Sequence, residues 1–116
     1  MNARVIATLR LMRENAAKAL EYAKAHPQWS SDELVVDAIA KRVEQVSELA
    51  KYRLPRALRG DYPEIPWDQI AGMRDRLVHD YTNLEIDLLV AVVADDLPEL
   101  IAIIDGLDEG IPSDSG

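Results

Sequence analysis

The sequence contains no cysteine and no phenylalanine among its 116 residues. Without cysteine the chain forms no disulfide, offers no thiolate to a metal ion and has no cysteine nucleophile. Its longest apolar run, residues 88–94, is far shorter than the roughly 20 residues that a membrane-spanning helix needs. The first residues open an amphipathic pattern with charges throughout, unlike a signal peptide. We therefore expect a soluble, cytoplasmic protein with no membrane partner.

Basic residues are absent from the last third of the chain. Residues 81–116 hold nine Asp and Glu side chains and no Lys or Arg, so all thirteen basic residues lie in residues 1–80 beside twelve acidic ones. Because phosphate binding needs a basic surface, the net charge of −8 argues against a non-specific coat on nucleic acid. The net charge does not exclude a local basic groove. The alternative is that each of these charges belongs to an ordinary solvated surface. The weak candidates for RNA binding are Lys51, Arg53, Arg56 and Arg59.

Apolar residues recur at three- and four-residue steps along most of the chain, which is the signature of amphipathic helices. This spacing predicts a first helix over residues 3–25 and a second over roughly 32–53. A capping box of Ser30 and Glu33 is expected to open the second helix.

Two further helical regions are predicted after a connector. A third long helix is expected from Pro66, which suits a first helical turn, to about Asp80. The last region is expected to begin at a capping box headed by Thr82, and Pro98 either kinks it or begins a new helix after Asp96. These patterns predict an all-α bundle of four to five helices, as a single domain over residues 1–108 with a flexible tail over 109–116.

Arg74 does not fit the pattern of the third helix. On a regular helix it falls near the middle of a broad apolar arc. A guanidinium keeps its proton, so when buried it needs an ion pair or a wet interface. The sequence alone allows two interpretations of Arg74. It forms an ion pair with Glu44 or Glu48 of the second helix, or it has a functional role.

His79 and Tyr81 also have two interpretations each. His79 falls on the polar side of the predicted helix, four residues after Asp75, whose carboxylate could orient the imidazole or raise its pKa. A solvated histidine is the plainer alternative. Tyr81 shares the apolar arc, where a tyrosine ordinarily belongs to the core.

The string from Ile65 to Tyr81 reads IPWDQIAGMRDRLVHDY. It closely resembles the signature of HepT-type toxins, a branch of the HEPN ribonucleases: a Pro-Trp pair, then Gly-x-Arg, then Arg-x4-His-x-Tyr. The resemblance extends over roughly residues 30–105. Two departures stand out, because Asp75 replaces an Asn that the family often has after the motif Arg, and Ser47 replaces a Gly common before Glu48.

The resemblance implies a HEPN-like fold and an endoribonuclease that uses neither a metal ion nor another cofactor. Arg74 would bind the phosphate and stabilise charge on the transition state, and His79 would act as general base or acid. Asp75 and Arg76 would support them. The 2′-hydroxyl of RNA would be the nucleophile, and the products would be a 2′,3′-cyclic phosphate and a 5′-hydroxyl.

The resemblance also implies partners. On one straight helix Arg74 and His79 lie about 140° apart, so either the helix distorts near its end or motifs from two subunits meet. Family members are similar in being homodimers with the motif in the dimer cleft. The antitoxin would be an MntA-type minimal nucleotidyltransferase that transfers AMP from ATP to Tyr81.

Two other functions remain as alternatives. One is a non-catalytic helical adaptor, or substrate-binding partner, of a nucleotidyltransferase. The other is a plain helical dimerisation domain with no nucleic-acid contact.

Overall fold

A computed structural model describes residues 2–63, 65–80 and 83–109, and at 78–80, 83–84 and 108–109 it describes the backbone alone. The elements in chain order are α1 (Ala3–Ala25), a 3₁₀ turn (Trp29–Ser31), α2 (Glu33–Tyr52), α3 (Arg56–Asp61), α4 (Trp67–Ala71), α5 (Met73–Leu77), β1 (Val78–Asp80), β2 (Asn83–Leu84), α6 (Ile86–Ala91), a π-helix (Val92–Asp96) and α7 (Leu97–Glu109). The all-α class is confirmed, with a very short strand pair added to it. Because α4 and α5 adjoin at Gly72, and α6 continues through the π-helix into α7, the described part has five helical regions.

The core lies between α1, α2, α4 and α7. Helix α1 packs along α2 and against α7, while α2 packs against α4 and α5. The apolar spacing of the first two helices produces this packing, because it places one side chain per turn on the same face. The buried members on these two helices include Val5, Leu9, Met12, Ala16, Ala19, Val36, Ile39, Val43, Val46 and Ala50. Within the described ranges, no helix has both the length and the apolar composition that crossing a membrane requires.

Helix α2 begins at a different cap from the one predicted. The carboxylate of Asp32 accepts hydrogen bonds from the backbone N–H groups of Leu34 at 3.1 Å and Val35 at 3.4 Å. Ser30 lies instead in the 3₁₀ turn, which the buried Trp29 anchors to the core. Because that turn occupies the chain as far as residue 31, the helix starts only after it, and the predicted capping box of Ser30 and Glu33 is wrong.

The third helix is shorter than the periodicity predicts. It breaks at Gly72 and ends at Leu77, and residues 78–80 are extended. The carbonyl of Leu77 accepts from the N–H of Glu85 at 2.9 Å, so the returning chain ends the helix. The strand pair that follows is antiparallel, with an irregular register between Val78–Leu84 and Asp80–Asn83.

The last helical region also starts later than predicted. Thr82 lies outside the described residues, but residues 83–84 are extended and α6 begins at Ile86. The N–H of Leu97 donates to the carbonyl of Val92, five residues earlier, which is the π-helical bond. Pro98 has no N–H to donate to an earlier turn. Helix α7 begins at Leu97, directly after Asp96, as one of the two alternatives predicted. Of the predicted tail, residues 109–116, the structure describes only the backbone of Glu109.

Candidate functional site

The site forms where α2 passes the break between α4 and α5. Gly72 has φ −89° and ψ 0°, and a Cβ at this residue would come within 3.2 Å of the carbonyl oxygen of Asp68. Next to this break, the buried hydroxyl of Ser47 donates to the carbonyl of Ala71 at 2.9 Å and accepts from the N–H of Arg74 at 3.3 Å. Ser47 is 1% exposed. Its hydroxyl therefore holds the backbone of both short helices against α2.

The side chain of Arg74 extends from this break toward the solvent. Its side chain is 42% exposed, with Nε donating to Glu44 Oε1 at 3.2 Å and an Nη donating to Asp75 Oδ1 at 3.4 Å. The hydrogen bond and charge of Glu44 raise the pKa of the guanidinium, and the charges of Asp75 and Glu48 add to that effect. The predicted position in an apolar arc is wrong, since it assumed one continuous helix. The predicted ion pair with Glu44 is present.

Arg74 lines a small pocket of about 70 Å³ that opens to solvent. The residues around it are Ser47, Glu48, Lys51, Tyr52, Ala71, Arg74 and Asp75. Lys51 Nζ lies 3.8 Å from Asp75 Oδ2, so the two cations of the pocket face carboxylates. An anionic ligand would have to take the place of those carboxylates, at Arg74 above all, where a planar guanidinium can bind an oxyanion through two N–H groups.

The other predicted basic residues are dispersed. Arg76 donates to the backbone carbonyl of Gln69 at 2.9 Å, and Arg59 pairs with Asp68 at 3.0 Å. Arg53 and Arg56 are exposed at the connection from α2 to α3. Of the four residues predicted to bind RNA, the structure places Lys51 in the lining of the Arg74 pocket.

His79 lies on β1, two residues beyond the end of α5, where the backbone alone is described. Tyr81 lies outside the described residues. The predicted helical relation between Asp75 and His79 is wrong, because the helix ends at Leu77. The carboxylate of Asp75 faces Arg74 and Lys51 instead. The angle of 140° expected for a straight helix does not apply for the same reason.

A larger pocket, about 160 Å³, lies between α4, α5 and α7 and is lined by none of the predicted site residues. Its lining combines apolar side chains with the polar residues Gln69, Asp96 and Glu99. In the part of the chain that the structure describes, no three His, Asp or Glu side chains are grouped so that they could hold a metal ion.

Sequence reasoning missed two residues of the Arg74 pocket. At the level of the sequence, Ser47 is noted only as a replacement for a Gly common in the family, although one signal is present: Ser47 is a polar residue on the apolar face of α2, four residues after Val43. Tyr52 was not singled out, and an aromatic residue at a helix end carries no signal of its own. Only the approach of α4 and α5 brings these side chains to Arg74.

Comparisons with known proteins point to one family. Residues 12–107 match the family model described as ribonuclease HepT-like. A protein of Caldanaerobacter subterraneus subsp. tengcongensis, provisionally named an RNase, is 32% identical over 69 residues, 60% of this chain and 61% of that protein. A Methanocaldococcus jannaschii protein, named a gamma-glutamylcyclotransferase and provisionally an RNase, is 32% identical over 90 residues, 74% and 40% of the two chains.

A third relative, from Thermococcus cleftensis, carries the name "Probable ribonuclease HepT" and is 35% identical over 63 residues, 54% and 56% of the two chains. The chain thus spans between 40% and 61% of the length of these three relatives. No solved structure matches it significantly.

Proposed function

The chain belongs to the HepT-like ribonuclease family, and from that premise we propose that it is the toxin of a toxin–antitoxin pair and a metal-independent endoribonuclease. The observation that carries the proposal is the placement of Arg74. Its guanidinium is half-exposed at the rim of a solvent-open pocket, while its backbone is held by a buried hydroxyl. A fixed backbone with an accessible guanidinium suits recognition of a phosphate, which would have to displace the carboxylates of Glu44 and Asp75 from the guanidinium.

The proposed reaction is a transesterification within RNA. The 2′-oxygen attacks the adjacent phosphorus, the O2′–P bond forms, and the bond from phosphorus to the 5′-oxygen of the next nucleotide breaks. His79 acts as general base or acid, removing the 2′-proton or supplying one to the leaving oxygen, and water takes up or supplies the other proton. Arg74 binds the phosphate and stabilises the charge of the pentacoordinate transition state. The products are a 2′,3′-cyclic phosphate and a 5′-hydroxyl.

The charges around Arg74 support a site that is completed by a second subunit. Glu44, Glu48 and Asp75 raise the pKa of its guanidinium and surround it with negative charge, which opposes binding of a phosphate. In the proposed homodimer, the motifs of two subunits meet in one cleft and supply further cations to it. This arrangement also accounts for an arginine that is neither buried nor fully solvated.

Control of the toxin is proposed to act through Tyr81. The antitoxin, a minimal nucleotidyltransferase of the MntA type, transfers AMP from ATP to the tyrosine hydroxyl, releasing pyrophosphate. An AMP group two residues from His79 blocks RNA and adds negative charge near the phosphate site. Intact mass of the chain made with and without that enzyme is the test, and an AMP adduct mapping to Tyr81 is expected.

The activity itself is tested by incubating purified protein with RNA in EDTA. We expect wild-type protein to cleave, and Arg74→Ala and His79→Ala to reduce the rate by at least about 10²-fold, a usual size for loss of acid–base or electrostatic catalysis. Arg4→Ala, which removes an exposed arginine of α1 outside the pocket, is the matched control and should stay near the wild-type rate. Absence of cleavage by the wild type, or full activity of His79→Ala, would contradict the proposal.

One observation favours a second candidate, the non-catalytic adaptor of a nucleotidyltransferase. The ion pairs of Arg74 with Glu44 and Asp75 are those that a purely structural arginine would make. For an adaptor, Arg74→Ala lowers stability, RNA stays intact with every variant, and the nucleotidyltransferase still co-purifies with the chain. A plain dimerisation domain makes a different prediction from the adaptor, because Tyr81 then stays unmodified when the chain is co-expressed with the nucleotidyltransferase.

A further inference from the structure

Tyr52, the last residue of α2, projects from the fold beside Arg74. It is 71% exposed, the largest exposure among the aromatic side chains that the structure describes. The two tryptophans are buried, and Tyr22 and Tyr62 pack against the core. The fold therefore uses its other described aromatic side chains for packing and leaves the ring of Tyr52 to the solvent.

The surroundings of this ring are those of a nucleotide site. Tyr52 and Arg74 line the same pocket. Lys51 Nζ lies 5.4 Å from the centroid of the Tyr52 ring and 3.8 Å from Asp75 Oδ2, so this cation contacts both the ring and the carboxylate that pairs with Arg74. A phosphate at Arg74 and a base over the ring would belong to the same or to adjacent nucleotides.

We propose that Tyr52 is a stacking platform for an unpaired RNA base next to the phosphate that Arg74 binds. The inference rests on the proposed ribonuclease function and extends it to a class of substrate. Proteins that bind single-stranded RNA combine cations along the backbone with exposed aromatic rings on which bases stack. A base inside a duplex cannot reach such a ring, so the substrate is single-stranded RNA or an unpaired loop. Because every base has a π-face, stacking alone imposes little sequence preference.

The first experiment measures binding of an unstructured RNA oligonucleotide whose 2′-hydroxyls are methylated, so that it cannot be cleaved. We expect Tyr52→Ala to raise the Kd about tenfold, within the range for loss of one stacked base. Tyr52→Trp and Tyr52→Phe retain a ring and should remain within about twofold of the wild type. Leu34→Ala is the matched control, because Leu34 is an 80% exposed apolar side chain at the other end of α2, and it should leave the Kd unchanged.

The second experiment tests the stacked base directly. In a series of oligonucleotides with one abasic nucleotide at successive positions, one position should weaken wild-type binding about tenfold and leave Tyr52→Ala unaffected, because base and ring then form one interacting pair. In Tyr52→Trp the new indole is exposed whereas Trp29 and Trp67 are buried, so RNA should quench its fluorescence. With cleavable RNA, Tyr52→Ala should raise KM about tenfold and change kcat little.

The outcomes separate this inference from the function on which it rests. If the wild type cleaves RNA and Tyr52→Ala binds and cleaves equally well, Tyr52 is no platform and the ribonuclease proposal stands. If the wild type binds RNA through Tyr52 but does not cleave it, the platform is supported and the ribonuclease proposal fails. If Tyr52→Ala changes the number of subunits in light scattering without changing the RNA affinity, the ring is a subunit contact and the inference is overturned.

Discussion

At the scale of single residues, Arg74 depends on two side chains from another helix. Its N–H and the carbonyl of Ala71 meet the hydroxyl of Ser47, and its guanidinium meets Glu44. Both partners come from α2. Because the hydrogen bond and charge of Glu44 raise the pKa of a guanidinium that is already protonated at neutral pH, Arg74 keeps its positive charge throughout the pH range of the assays. A pH dependence of cleavage near neutrality would therefore have to arise from another group, for which we propose His79.

We predict that Ser47→Ala lowers both stability and activity. The substitution leaves the carbonyl of Ala71 and the N–H of Arg74 without a buried partner, which costs about 1–3 kcal/mol of unfolding free energy. Urea unfolding measures that cost. As a positioning residue, Ser47 should also affect kcat, because Arg74 loses the bond that holds its backbone.

Thr8→Ala provides the matched control for Ser47→Ala. Thr8 is also buried, and its hydroxyl donates to the carbonyl of Arg4 at 2.9 Å, far along the sequence from Arg74 and on another helix. This variant should lose stability and keep its kcat. If Ser47→Ala also kept full kcat, its hydroxyl would be an ordinary core hydrogen bond.

At the scale of elements, helix α2 is capped by Asp32 and not by the predicted Ser30. Asp32 accepts from two N–H groups of the first turn, whereas Ser30 belongs to the preceding 3₁₀ turn. We predict that Asp32→Ala lowers the unfolding free energy by about 1 kcal/mol. Ser30→Ala should stay within about 0.5 kcal/mol of the wild type. Equal losses in urea unfolding would show that both residues cap the helix.

At the scale of the whole molecule, an ion pair joins helix α1 to helix α7. Arg13 of α1 donates through two nitrogens to the carboxylate of Asp105 of α7, one of these bonds being 3.1 Å long. The hydrogen bond from Arg13 holds the pKa of Asp105 below its ordinary value of 3.8. A lowered pKa means that the pair stabilises the fold above that value, and the stabilisation is lost as the pH falls through the pKa of the folded state.

We predict that Asp105→Asn flattens the acid side of the stability profile. The variant should be slightly less stable than the wild type near neutral pH, and the difference should shrink as the pH falls through the lowered pKa of Asp105 in the folded wild type, where its carboxyl becomes protonated as well. Arg13→Gln should flatten the profile in the same way. Thermal unfolding at a series of pH values measures this, and a difference that persists unchanged in acid would contradict it.

The proposed dimer predicts complementation between inactive subunits. If each active site takes Arg74 from one subunit and His79 from the other, a mixed dimer of Arg74→Ala and His79→Ala chains contains one intact site. Random exchange at equal amounts should then restore roughly a quarter of the wild-type activity, since half of the dimers are mixed and each has one of two sites. No recovery in mixtures whose exchange is confirmed by mass spectrometry would show that each subunit supplies both residues.

The sequence by itself determined the all-α class and the existence of α1 and α2, and it limited the effect of Pro98 to a kink or a new helix after Asp96. These features depend on local properties, such as apolar residues at helical spacing and a proline that cannot donate a hydrogen bond. It also named Glu44 as one of two candidate ion-pair partners for Arg74, the other being Glu48. These conclusions follow from the spacing of residues along one helix and from the need of a buried charge for an opposite charge.

Only the tertiary structure decided where the third helix ends and what surrounds Arg74. Its periodicity continues past Leu77, but a hydrogen bond from Glu85 ends the helix there. Ser47 and Tyr52 join Arg74 because α2 packs against α4 and α5, more than twenty residues along the chain. The physical reason is that helical periodicity reflects contacts within a few residues, whereas helix ends and sites are set by partners that arrive from distant segments.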